Sequence, residues 1–131
     1  MQVITFMLSL AGCAMYKIEH YKTGAGKDLI KDYIDEASRK YGIREVALIR
    51  TAVMLLRNHG FDANRYKKQL IKKLESGLYE LRPGSNRILF FFYDGERFVL
   101  LHGFRKKTKK TPRHEIDTAR AQMDEYIRRN K

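Results

Sequence analysis

Cysteine is nearly missing from this chain. Cys13 stands alone, which excludes an internal disulfide framework and fits a reducing compartment. Clustered metal ligands are missing too: His20, His59, His102 and His114 are scattered, with no pair at helical ligand spacing, so neither a zinc site nor any other metal or cofactor is expected. No GxSxG, HExxH or paired-carboxylate pattern occurs. The most apolar stretch, at the N-terminus, is far too short to span a membrane. Acidic residues are scarce where basic ones are dense. Residues 1–64 carry 9 Lys/Arg against 7 Asp/Glu, a net +2, and residues 65–131 carry 18 against 8, a net +10.

What is present is an ordinary globular composition, 44% hydrophobic and 32% charged, over 131 residues, enough for one domain with a core. The net charge of +12 predicts a polyanionic partner, nucleic acid first and an acidic neutralising protein second. A membrane surface fits less well, because no long helix is basic on one face and apolar on the other.

The opening MQVITFMLSLAGCAMY has the look of a lipoprotein signal, since LAGC is similar to a lipidation box. Such signals begin with a cationic stretch, however, and no Lys or Arg precedes Lys17. Met15 stands directly before a strand-like segment. Residues 1–14 are therefore expected to be an extension or an over-called start, and residues 15–131 a single domain.

MYKIEHY (15–21) alternates like a strand. TGAGKD (23–28) echoes a phosphate loop but lacks its earlier glycine, and Asp28 stands where Ser or Thr is needed, so it reads as a turn before a helix. A helical period over 27–41 places Leu29, Ile30, Tyr33, Ile34, Ala37 and Tyr41 on one face, closed by Gly42, and a second helix over 43–58 ends at Gly60. The pair forms an αα-hairpin. RYKKQLIKKL (65–74) reads as a short basic helical turn with Leu70, Ile71 and Leu74 inward. From Leu78 the period is that of strands: LYELR, a PGS turn, then two β-rich runs joined at Asp94-Gly95, a type I′ pair. The run Ile88 to Tyr93 is apolar on both faces, which predicts a central strand with the helices over one face. Thr111-Pro112 is a helix-start signal, and the last helix buries Ile116, Ala119, Met123, Tyr126 and Ile127. The expected architecture is one α+β domain, a small antiparallel sheet in the order β-α-α-β-β-β-α with an N-terminal helical hairpin and a C-terminal helix.

Three consecutive antiparallel strands bring the end of the first, the start of the second and the end of the third to one edge. Arg82, Arg87 and the Arg105-Lys106-Lys107 cluster are thus expected to converge. Guanidinium forks grip phosphate oxygens and stabilise added charge on phosphorus. The run 105–110, RKKTKK, holds five cations in six positions, a repulsion that a bound anion relieves. Lys109 and Lys110 suit the backbone of a longer RNA. His102 and His114 flank the run as acid–base candidates, with an ordinary polar role as the alternative. Tyr93 and Phe104 are candidates to stack on a base or, as strand-end aromatics, to join the core.

Residues 78–126, LYELRPGSNRILFFFYDGERFVLLHGFRKKTKKTPRHEIDTARAQMDEY, carry a strong resemblance. Their LYELR, R-I-L-F-F and LLHGF-x-KKT-x-KTP-x-x-E-I-x-x-A motifs are similar to those of the phage-derived, HigB-type (Gp49-like) branch of the RelE/ParE toxin superfamily. The resemblance implies a RelE-like fold and a cytoplasmic toxin of a type II toxin–antitoxin system, which acts with the ribosome as an mRNA endonuclease without metal and is silenced by a helix-turn-helix, HigA-like antitoxin. It also implies that Arg82, Arg87, Lys106 and Lys107 act on phosphate, while Arg105, Lys109, Lys110 and His114 hold RNA. One departure stands out. Members of the superfamily place a C-terminal Tyr or His near the cleaved phosphate, whereas TKKTPRHEI (108–116) has no Tyr. His114 is the nearest candidate, and the general acid and base are unassigned. ParE-like relatives share the fold and inhibit gyrase without cutting RNA, so a non-catalytic, nucleic-acid-binding or inhibitory module on the same basic edge is the alternative.

Overall fold

The computed structural model describes residues 15–131, and the expectation for residues 1–14 lies outside them. The elements run β1 (Lys17–His20), α1 (Leu29–Tyr41), α2 (Ile43–His59), a 3-10 segment (Gly60–Arg65), β2 (Ile71–Glu75), β3 (Leu78–Leu81), β4 (Asn86–Tyr93), β5 (Arg97–Arg105) and α3 (Arg113–Arg129). Asp28 caps α1 by accepting from the Lys31 N–H at 3.0 Å. Gly42, at φ 97°, makes the corner between α1 and α2. Asp94 (φ 56°) and Gly95 (φ 76°) both take the left-handed conformation that a type I′ turn demands.

The sheet has five strands in the order β1-β5-β4-β3-β2 and is mixed rather than antiparallel. β1 pairs parallel to β5, Lys17 opposite Arg97 and His20 opposite Leu100, while the other neighbours are antiparallel. β1 and β5 are the first and last strands of the sheet in chain order, and the connection between them is far longer than the crossover of about a dozen residues that a parallel pairing needs.

A second correction concerns residues 65–74, where the helical reading fails. Gln69 takes φ 58°, which no helix tolerates, and the Asn64 side chain holds Ile71 as a strand would, accepting from its N–H at 2.7 Å and donating to its carbonyl at 3.0 Å. β2 then carries a bulge between Lys73 and Glu75. Ile71 faces one core and Leu74 the other, as strand residues three apart do, and together with Leu70 they show the spacing of one helix face. A third correction is at the last helix: Pro112 is the N-cap residue and Thr111 lies outside, its hydroxyl used elsewhere.

β4 is apolar on both faces because the helices cover both, not one. Ile88 and Phe90 pack under α1 and α2 with Ile30, Ile49 and Leu56, whereas Leu89 and Phe91 pack against Ile116, Ala119 and Tyr126 of α3. Each fully buried Phe, Leu or Ile contributes roughly 1.5–3 kcal/mol. A close approach occurs at Gly103 on β5, where a Cβ would lie 2.8 Å from Tyr33 Cδ2 and 2.9 Å from its Cγ. Tyr33 cannot retreat freely, since its hydroxyl donates to Asn86 Oδ1 at 2.6 Å. Gly103→Ala is therefore expected to destabilise the fold by roughly 1–3 kcal/mol in chemical denaturation. The loss should shrink in a double-mutant cycle with Tyr33→Leu, which vacates the ring's space.

Candidate functional site

The strand ends meet as the alternation of motifs requires. Leu81 pairs with Ile88, Arg87 with Phe104, and Asn86 with Arg105, so Arg82, Arg87 and Arg105 share one end of the sheet. They do not share one face. Successive side chains on a strand point to opposite sides. Arg82 and Arg87 lie on the α3 side with Glu80, whereas Asn86, Gly103 and Arg105 lie on the side of the α1–α2 corner.

On the α3 side the centre is a carboxylate. Glu80 is 1% exposed, and its Oε1 lies 3.6 Å from Arg82 Nε and 3.8 Å from Arg87 Nε. Its Oε2 accepts a 2.5 Å hydrogen bond from the Thr111 hydroxyl. Arg87, 7% exposed, donates through Nη1 to the carbonyls of Gly84 (2.8 Å) and Asn86 (2.9 Å). Its Nη2 has no protein partner among the described residues and is not sealed from solvent. Burial first, and then the neighbouring Arg82 charge, holds the Arg87 pKa below the ordinary arginine value. The result is a fixed cation with one donor group left for an incoming anion. Glu80 was not among the residues singled out from sequence. The available signal was an acid at an inward position of LYEL, two residues before Arg82 on the same face.

On the other side Arg105 is already occupied. Its Nη1 donates to Glu45 Oε1 at 2.6 Å and lies 3.5 Å from Asn86 Oδ1, and its Cζ stands 3.9 Å above the Tyr41 ring centroid. Asn86 ties this group to the turn, donating to Glu45 Oε1 and to the Pro83 carbonyl, both at 3.0 Å. The hydrogen bond from Arg105 pulls the Glu45 pKa below its ordinary value against the opposing effect of burial. Burial pushes the Tyr33 hydroxyl up to about 12. Tyr41, expected on the buried face of α1, is 46% exposed at the helix's last residue, with Arg105 over its ring.

Between the two faces lies a cleft of ≈ 400 Å³, lined by Arg87, Arg105, the segment 106–112, His114, Tyr33 and Tyr41 among others. Arg82 is not part of its lining and stands behind, against Glu80. Lys106, Lys107, Lys109 and Lys110 are exposed and form no ion pair among the described residues. The Lys106 N–H continues the hairpin by donating to the Ser85 carbonyl at 2.8 Å. His114 has a side chain 77% exposed, with Nε2 3.4 Å from Glu115 Oε2. His102 is buried, each ring nitrogen 2.9 Å from an oxygen, Nδ1 from Gln122 and Nε2 from Glu115. It braces α3 on the sheet and does not line the cleft. Tyr93 is at the opposite end of β4, its hydroxyl donating to the Asn130 carbonyl, while Phe104 lines the cleft and packs into the α3 core.

Two measurements follow from these contacts. Glu80→Gln removes the one carboxylate beside two clustered arginines, and is expected to lower unfolding free energy by roughly 2 kcal/mol. For Glu45, a folded pKa held below the ordinary value means stability that is present above the usual carboxylate range and lost as pH falls through the lowered value. Unfolding of Glu45→Gln should accordingly show a shallower loss of stability below pH ~4.5 than the unsubstituted protein.

The family described as phage-derived protein Gp49-like (DUF891) matches residues 32–124, which contain most of α1, all of α2, every sheet strand but β1, most of α3 and every candidate residue above. No curated protein matches the chain. In the crystal structure of the toxin–antitoxin complex RelBE2 from Mycobacterium tuberculosis, one chain aligns with a TM-score of 0.41 and 17% identity over 70% of this chain and 99% of that one. With a family match over more than two thirds of its length, on the very segment whose LYELR and HGF motifs carry the resemblance, the chain belongs to the phage-derived Gp49-like family.

Proposed function

We propose that this protein is the toxin of a type II toxin–antitoxin system and cuts mRNA on the ribosome, inhibiting translation in the cytoplasm. The observation that carries the reading is the arrangement of cations at the end of the sheet: Arg87 held by Glu80 and two carbonyls with Nη2 left over, facing a cleft whose rim is four unpaired lysines. In the reaction, the 2′-hydroxyl oxygen attacks the adjacent phosphorus, its proton leaves, and the bond to the 5′-oxygen breaks as that oxygen gains a proton. A 2′,3′-cyclic phosphate and a 5′-hydroxyl result. Extra negative charge develops on the phosphoryl oxygens, and fixed donors that need not reorganise stabilise it most. Arg87, Lys106 and Lys107 supply those donors. Arg82 acts from behind by keeping Glu80 engaged, and Lys109, Lys110 and His114 follow the RNA backbone. The antitoxin, a helix-turn-helix protein, neutralises the basic surface.

One observation favours a second reading, a module that binds nucleic acid or inhibits a target without cleavage. The buried acid and histidine near the cleft are already engaged, Glu80 with Thr111 and His102 with Glu115 and Gln122. Induction in a bacterium with primer extension on a reporter mRNA separates the two. Growth arrest with cleaved transcripts is the expected result. Arg87→Ala and Lys106→Ala should each lower the cleavage rate by roughly 10²–10³-fold. Arrest with intact transcripts, or single substitutions that weaken RNA binding only in proportion to the charge removed, would give the non-catalytic reading. No arrest at all removes the toxin assignment.

A further inference from the structure

The two walls of the cleft differ in chemistry. One carries Arg87 and the 106–110 lysines. The other, at the α1–α2 corner, carries Tyr33, Tyr41 and the Glu36–Lys40 ion pair (2.9 Å), with Glu45 behind Arg105. The first wall offers a phosphate lysines that form no ion pair among the described residues, whereas the second holds its charges in pairs. Arg105 belongs to the second in spite of its charge, because Glu45 neutralises it at 2.6 Å. What Arg105 offers instead is its plane. The guanidinium is fixed at Nη1 by Glu45 and Asn86 and lies 3.9 Å over the Tyr41 ring. The result is a stacked pair whose shape is set before any ligand arrives. Tyr41 is 46% exposed, at the last residue of α1.

We propose that the Tyr41–Arg105 stack is a nucleobase subsite, on which one base of the RNA stacks while its phosphates lie along Arg87 and the loop lysines. The proposal rests on the RNA-cleaving reading above and assigns a role to the wall that reading leaves unused. Bases stack on aromatic rings and on guanidinium planes, and a preformed platform loses little conformational entropy on binding. Stacking is tolerant of base identity, so the subsite recognises unstacked single-stranded RNA rather than a particular letter.

The test uses the full chain and ribosomes programmed with a synthetic mRNA whose A-site codon either carries its bases or is abasic, with the same phosphates in both. The unsubstituted protein should bind the base-bearing codon roughly ten-fold more tightly than the abasic one. Tyr41→Leu keeps the helix propensity and the apolar bulk under Arg105 but has no π face. It should bind both codons equally, at the affinity the unsubstituted protein has for the abasic one. Tyr41→Phe should behave as the unsubstituted protein. Undiminished preference for the base-bearing codon in Tyr41→Leu overturns the subsite, as does an equal loss by Tyr41→Leu on both codons, which would make Tyr41 a support for phosphate binding. Binding by the unsubstituted protein without base dependence removes the subsite alone. No binding to programmed ribosomes removes the RNA reading together with it.

Discussion

A single buried anion organises the candidate site. Clustered arginines repel, and a guanidinium shielded from water loses hydration, as the lowered pKa of Arg87 records. Glu80 offsets both effects at once by standing beside Arg82 and Arg87. Its second oxygen takes the Thr111 hydroxyl and thereby fixes the far end of the 106–110 lysine run to the sheet. Without that contact the run would be a strap between β5 and α3 held only at Lys106. With it, the loop's lysines are confined to the rim of one cleft. An acid at the centre of a basic cluster looks self-defeating, yet its position against the arginines orients them while Arg87 Nη2 is left without a protein partner among the described residues.

The second organising constraint is strand alternation. β4 and β5 cross the site side by side, and their outermost residues divide between two faces: Arg87 and Phe104 toward α3, Asn86 and Arg105 toward the helical corner. Chemistry that looks continuous in sequence, Arg105-Lys106-Lys107, is therefore split. Arg105 is drawn into a network of Glu45, Asn86 and Tyr33 that closes the corner of the helices onto the sheet. The lysines after it run on along the cleft rim. Gly103 serves the same closure, since only a residue without a Cβ lets the Tyr33 ring approach β5 so nearly.

How much of this was legible depended on whether the information was local. The β4–β5 hairpin could be read because Asp94-Gly95 states its turn outright, and α3 because five apolar residues repeat at helical spacing. The convergence of Arg82, Arg87 and Arg105 at one edge followed from counting strand reversals. β2 reads as helical because Leu70, Ile71 and Leu74 have helical spacing, although Ile71 and Leu74 serve opposite faces of the sheet. The parallel placement of β1 was invisible, since nothing in KIEH specifies a partner eighty residues away. Tyr41 continues the stripe from Ile30 through Ala37, but it is the last residue of α1, and sequence does not tell that the core beneath the helix stops short of it. Glu80 escaped notice for a related reason: one acid in a strand says nothing of the two arginines and the threonine that make its burial tolerable.

These constraints also bear on the charge imbalance that first separates the two halves of the chain. The C-terminal half is basic, but its arginines are largely spoken for. Arg97 is paired with Glu19 and Asp94, Arg113 and Arg120 with Glu75, Arg105 with Glu45, and Arg129 with Glu125. These pairs hold elements together, α3 onto β2 and β1 onto β5 among them. The lysines of the 106–110 run have no such duty. A planar guanidinium gains most where geometry can be fixed, and a flexible ammonium where a backbone of variable path must be followed. The division of labour explains why a chain with so many cations presents so few of them as a site. It leaves Arg87 as the fixed donor lining the cleft and the lysines as the mobile charges on its rim.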